Sequence, residues 1–371
     1  RGLGDVYKRQ VYPGRELDSN YSMNTVDLCP VGALTSKDFR FKMRVWFLKE
    51  TKTIDVDCGT GTNITLWTRE DKVYRITPRQ NDAVNSCWMP DSHRLNYKYI
   101  NAETRIPQPV IRTDAEAPHR PSTWEPALAS AAEAVKRIAP NQLAIIASGR
   151  MTNEELYMVR HLAAQIGTDM VDIVPRMGES DGMLISADRN PNTNGARLVL
   201  DIEPGSRLDA IREGVRSGSI KGILSLGEDL ISPEAGFTAE DLDKLDYLFM
   251  TAHSANETAR HADLVLPGVT YAEKFGTMIN VTGRIQRLNR AIQPIGYARD
   301  DWQIFRDITL LLGGNPALKD FNSALDILTA MSTEYGALNG VSWGSIGDGG
   351  QPILETGVTI PVVEREKNQG R

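Results

Sequence analysis

Between residues 124 and 314, short apolar runs alternate with segments of helical periodicity, and this alternation narrows the possible folds more than any other feature. Leu143–Ala147 (LAIIA) is apolar at every position, the mark of a strand buried on both faces. Residues 170–174, 222–226, 246–251 and 263–267 read as further strands. Leu128, Ala132, Val135 and Ile138 stand at helical spacing in 125–138, and 208–217 and 301–312 also read as helices. Thr152-Asn153-Glu154-Glu155 starts another helix that runs to about Ile166, with acidic residues where the helix dipole favours them. Strands alternating with helices predict a parallel sheet in an α/β domain.

Upstream the texture differs. Residues 44–79 alternate apolar and polar side chains, and Val45-Trp46-Phe47-Leu48, 64–67 and 73–76 read as strands of a small β-rich unit. Residues 81–105 are loop-like, anchored by Trp88, Tyr97 and Tyr99. Residues 106–126 hold five prolines and read as a linker. One more helix is expected at 323–331, then a glycine-rich stretch and a charged end, 364–371, expected to fray. Residues 1–10 (RGLGDVYKRQ) lack the apolar centre of a signal peptide and are read as a non-native scar. Coherent sequence starts near Val11, in the middle of a domain.

Composition removes several function classes. The net charge is −6 with no long basic run, which argues against nucleic acid as a partner. No run of about 18 apolar residues exists to span a bilayer. Three cysteines build neither a disulfide framework nor a complete four-thiolate metal site. No G-x-x-x-x-G-K-[ST], G-x-S-x-G, H-E-x-x-H or C-x-x-C is present, and 222–227 is not a dinucleotide-binding glycine loop. NADH binding by this chain is therefore unsupported.

Cys29 stands in NTVDLCPVGALTSKDFRF (24–41). A proline after the cysteine fixes φ and removes a backbone donor, so the chain turns sharply there. This string resembles the large iron–sulfur subunit of the NADH:quinone oxidoreductases (respiratory complex I), found in bacteria and, as the 75-kDa subunit, in mitochondria. The resemblance implies that Cys29 is the fourth ligand of a 4Fe-4S cluster in the intact protein. The other three ligands come from a C-x2-C-x2-C run upstream that this chain lacks, so the chain reads as N-terminally truncated and the cluster as incomplete here.

The unit 46–94 resembles the small iron–sulfur domain that opens the molybdopterin oxidoreductases. Its string TIDVDCGTGTNI (53–64) places the first three ligand positions at Asp55, Cys58 and Thr62, and WMPD (88–91) places the fourth at Pro90. Three of the four are not cysteine, so these positions are expected not to bind a cluster. Cys58 and Cys87 read as structural. A rival reading gathers Asp55, Asp57, Cys58 and His93 into an iron or zinc site, although the spacing fits no common zinc pattern. VYRITPR (73–79) and SHRLNY (92–97) also match this domain. Arg75, Arg79 and Arg94 offer charge to steer a redox partner, or else are surface residues in ion pairs.

Residues 124–314 resemble the α/β domain of the same superfamily in its complex I version. ADLVLPG (262–268), YAEKFGT (271–277), NVTGRIQR (280–287) and ARDDW (298–302) carry the likeness. Glu228 and Asp229, at a strand end in GILSLGED (222–229), either accept from a guanine nucleotide or merely turn the chain. No cysteine follows Cys87 to hold a molybdenum, and no molybdopterin is expected. Glu273 and Lys274 read as a structural ion pair. His253 and His261, with Glu257 and Asp263, form a weaker metal alternative.

The fold expected is α/β: a parallel-sheet molybdopterin-oxidoreductase-like domain, preceded by a small β-rich former iron–sulfur domain and the tail of a ferredoxin-like domain. The boundaries read as scar 1–10, ferredoxin-like remnant 11–43, iron–sulfur domain with lost ligands 44–105, linker 106–123, α/β domain 124–320 and extension 321–371. The resemblance implies an electron-transfer and scaffold subunit of an NADH:quinone oxidoreductase with no complete active site of its own. It also implies other peripheral-arm subunits as partners, contact with NADH and quinone only through the complex, and a peripheral place on the cytoplasmic face of a bacterial inner membrane. The alternative is a molybdopterin-dependent oxidoreductase of the formate dehydrogenase type.

Overall fold

A computed structural model describes residues 14, 16–112 and 117–369; the proposed scar at 1–10 lies outside them. Helix α1 (Asn24–Leu28) precedes an antiparallel sheet of β1 (Lys49–Ile54), β2 (Asn63–Arg69) and β3 (Lys72–Pro78), ordered β1-β2-β3, and the short helix α2 (Asp91–Arg94) follows. The strand expected at Val45-Trp46-Phe47-Leu48 is instead a 3-10 turn, Val45–Phe47. Glu70 and Asp71 turn β2 into β3 with positive φ, and the β1 ladder begins with Lys49 opposite Thr68. The aromatic run therefore overshoots the end of its partner strand. Trp46 and Phe47 stay exposed, with the guanidinium groups of Arg44 and Arg69 over their rings.

Part of the expected linker is sheet. Strands β4 (Val110–Ile111) and β5 (Arg120–Pro121) form an antiparallel edge on the large sheet, a position that tolerates proline. The α/β unit then runs through α3 (Trp124–Arg137), β6 (Leu143–Ala147), α4 (Asn153–Ile166), β7 (Val171–Ile173), α5 (Thr193–Leu200) and α6 (Leu208–Ser217). It continues with β8 (Gly222–Leu226), α7 (Ala239–Leu242), β9 (Tyr247–Ala252), α8 (Glu257–His261) and β10 (Leu264–Pro267). The seven-stranded order is β5-β4-β10-β9-β8-β6-β7, and the strands from β10 to β7 are parallel.

The parallel strands are buried on both faces, as their apolar runs require. Leu143, Ile145 and Ala147 of β6 face one core with α3 and α4, while Ala144 and Ile146 face the other with α6. Thr152 caps α4 in a reciprocal box with Glu155, and Gly167 ends the helix in the left-handed conformation. The strand order reverses between β6 and β8, so the crevice outside their carboxyl ends is the topological switch point.

The chain closes with β11 (Gly276–Ile279), β12 (Arg284–Leu288), α9 (Asp301–Leu311), α10 (Ala324–Glu334), α11 (Trp343–Ile346), β13 (Gln351–Pro352) and α12 (Pro361–Gln369). The β11–β12 hairpin joins the small sheet in one apolar core: Ile64, Leu66 and Ile76 pack with Met278, Leu288 and Ile292. Of the end expected to fray, residues 364–369 are helical, and Val362 and Val363 at the start of that helix are buried against Val84 and Leu184. Among the described residues, no helix is long and apolar enough to cross a membrane.

Candidate functional site

Cys29 is buried and ends α1, its N–H donating to the Val26 carbonyl. A clamp from the small β module holds this helix. Asn24 exchanges hydrogen bonds with the backbone of Met89 at 2.8 and 3.1 Å. Arg94, 4 % exposed, donates to Asp27 at 2.5 Å and to Asn24 at 3.1 Å. Asp91 accepts from the Met23 N–H and the Ser22 hydroxyl. Arg94 is thus no surface arginine. Arg75 lies over the Phe39 and Trp67 rings, and Arg79 donates to Asn63. The last of the four aligned cluster positions adjoins this segment, since Pro90 is the residue just before α2.

The β1–β2 loop, which carries the other three positions, is tied down through its backbone. The Gly59 N–H donates to Asp188, and its carbonyl accepts from Val281. Gly61 has φ +63°, and an added Cβ would lie 2.4 Å from Gln286. Cys58 is fully buried with Sγ 4.0 Å from the Leu184 carbonyl; burial, then the Asp55 carboxylate, pushes its thiol up to about 11. Thr62 is buried and Pro90 has no donor atom, so the residues present do not fit a thiolate-held cluster. Cys87 is exposed.

Next to this loop, Asp55 and His93 are buried and joined at 2.6 Å. Burial opposes charge on the imidazole, but the Asp55 carboxylate outweighs it and holds His93 above its ordinary value. Asp57 accepts from Asn96 at 2.7 Å; burial, then the Asp55 carboxylate, pushes it up to about 7. Potential ligand atoms of Asp55, Asp57 and His93 lie within 4.8 Å of one another. Cys58, grouped with them by spacing, is not part of this cluster.

At the switch-point crevice, Lys274 reaches Glu155 with both contacts at 2.8 Å, and Glu273 binds Arg105 at 2.6 Å. The expected Glu273–Lys274 pair is therefore not formed; each side chain finds a buried partner distant in sequence. Glu228 is gripped in bidentate fashion by Arg176, and Asp229 accepts from Thr258. Both turn and brace the chain. Burial, then the neighbouring Arg105 and Lys274 charges, lowers His253 to about 4, and its Nδ1 pairs with Ser254. His261 pairs with Asp243, so the two histidines converge on no common ligand site. Lys274 and His253, with Ser148, Arg150, Tyr271 and Asp301, line a cavity of about 90 Å³.

Sequence reasoning singled out Cys29 and the positions 55, 58, 62 and 90, and missed the clamp and the Glu155–Lys274 pair. The only local signal was the Thr152-x-x-Glu155 spacing.

Residues 48–98 match the family described as NADH-ubiquinone oxidoreductase NDSU1/NuoG-like, 4Fe-4S domain. Residues 2–35 match the NADH-quinone oxidoreductase subunit 3, ferredoxin-like domain, and residues 189–309 match Molybdopterin oxidoreductase. Relatives include the mitochondrial NADH-ubiquinone oxidoreductase 78 kDa subunit of Candida albicans, 27% identical over 87% of this chain and 61% of its own length. The Neurospora crassa counterpart is 26% identical over 84% of this chain and 58% of its own length. A bacterial relative, an NADH-quinone oxidoreductase subunit of Rickettsia conorii, is 25% identical over 80% of this chain and 60% of its own length. The chain thus spans about three-fifths of these relatives. Among solved structures, acetylene hydratase from Pelobacter acetylenicus shares the fold, with a TM-score of 0.59 at 9% identity over 80% of this chain and 73% of that one.

Proposed function

Because this chain belongs to the family of the large iron–sulfur subunit of the NADH:quinone oxidoreductases, we propose that it serves electron transfer from NADH toward quinone within such a complex. Cys29 is proposed as one thiolate ligand of a 4Fe-4S cluster whose other ligands lie upstream. That cluster, when bound, supplies one-electron transfer. The observation that carries the reading is the clamp at Cys29. Asn24, Asp27, Asp91 and Arg94 fix the helix that presents this cysteine, and Pro30 turns the chain away after it.

In this reading residues 44–320 are a scaffold that positions the ligand and packs against other peripheral-arm subunits. NADH and quinone are met only through the assembled complex. The proposed place is peripheral, on the cytoplasmic face of a bacterial inner membrane, in keeping with the bacterial relative.

Metal analysis of the assembled oxidoreductase, purified without oxygen, tests this proposal. Iron with only trace molybdenum is expected. Stoichiometric molybdenum in this subunit would overturn it and favour an enzyme of the formate dehydrogenase type.

A further inference from the structure

The family matched at residues 48–98 is a metal-cluster domain, yet of its four aligned ligand positions only Cys58 carries sulfur, and that sulfur is turned toward Leu184. The corner is nevertheless rich in donors of another kind. Asp55 occupies the first of the aligned positions, directly after β1, and Asp57 follows two residues later. His93 comes from α2, one helical turn from Pro90. Their potential ligand atoms lie within 4.8 Å of one another. Three ligands on one ion of this size sit about 3.3 Å apart, so small side-chain rotations close the set.

The setting is built. Asp55 is held from behind, its N–H donating to the Thr62 carbonyl, and Asn96 orients Asp57 at 2.7 Å. Two carboxylates and one imidazole balance a divalent charge. The group is not sealed, for Asp57 and His93 line a solvent-connected cavity of about 630 Å³, which gives an entry path and room for water ligands. Across that cavity stand Arg150, Arg176 and Arg189. Arg176 is neutralised by Glu228, and Arg189 donates to the Glu179 carbonyl.

We propose that Asp55, Asp57 and His93 form a binding site for one divalent first-row cation of the zinc class, held by oxygen and nitrogen donors where the matched domain would need thiolates. Such ions accept imidazole and carboxylate together, with three protein ligands and an open position for water. The ion takes over the contact that Asp55 and His93 otherwise make with each other. The site is independent of Cys29, so it stands or falls apart from the electron-transfer reading.

The full chain, stripped with a chelator, is titrated with Zn²⁺ by calorimetry. One saturable site per chain is expected. His93→Ala and Asp57→Asn should each weaken it at least about tenfold, while Cys58→Ser leaves it unchanged. Circular dichroism establishes that each variant is folded. X-ray absorption on the zinc-loaded wild type gives a readout that needs no variant, and a shell of nitrogen and oxygen only is expected. Absence of saturable binding, equal binding by both variants, or sulfur in the shell would overturn the proposal.

Discussion

At the scale of single residues, several buried carboxyl groups are held against their ionised form. Glu154 is fully buried; its carboxyl accepts the Thr277 N–H and hydroxyl, both at 2.8 Å, yet burial pushes it from an ordinary 4.5 up to about 7. Asp301 is pushed up to about 7 by burial and then by the Glu155 carboxylate. A folded-state value above the unfolded one means that the native protein binds the extra proton between the two. Stability should therefore fall as pH rises from about 4.5 to about 7. Glu154→Gln keeps the shape and cannot ionise. Urea midpoints at pH 5, 6 and 7 should fall less steeply in this variant than in the wild type, and an unchanged slope would refute the assignment. Cys29 and the positions 55, 58, 62 and 90 could be singled out in the sequence because each depends only on residue type at a given place. The partners of Lys274 and Arg94 could not, because 119 and 67 residues separate them from Glu155 and Asp27.

At the scale of elements, the hairpin β11–β12 shows what the string NVTGRIQR does physically. Gly283 turns the hairpin with φ +78°, and a Cβ there would lie 2.1 Å from the Leu354 carbonyl oxygen. Gly283→Ala combines a left-handed backbone with a clash against main chain, so a loss of about 2 kcal/mol or more is expected in chemical denaturation. A loss below about 0.5 kcal/mol would mean that the 283 and 354 segments move apart freely. The same scale explains where sequence pattern succeeds. Strand β6 is apolar throughout and β8 is apolar but for Gly222 and Ser225, because helices cover both faces, and the sequence pattern gives both their observed bounds. Val45–Phe47 has strand-like residues but no strand opposite, since β2 turns at Glu70. Helix α12 has a charged exterior, and its two buried valines show their role only against Val84.

At the scale of the whole molecule, one arrangement links the parts. The small β module shares a core with the β11–β12 hairpin, and its α2 end clamps the helix that presents Cys29. The large sheet, with Lys274 and Asp301 lining its switch-point crevice, stands behind as support. The central proposal is an asymmetry between two buried cysteines, Cys29 as a cluster ligand and Cys58 as a structural residue. It is tested most directly by counting iron, with electron paramagnetic resonance, in the assembled oxidoreductase carrying Cys29→Ala or Cys58→Ser. Cys29→Ala should remove about four irons and one cluster signal, and Cys58→Ser should remove none. Loss of a cluster with Cys58→Ser, or full retention with Cys29→Ala, would contradict the account.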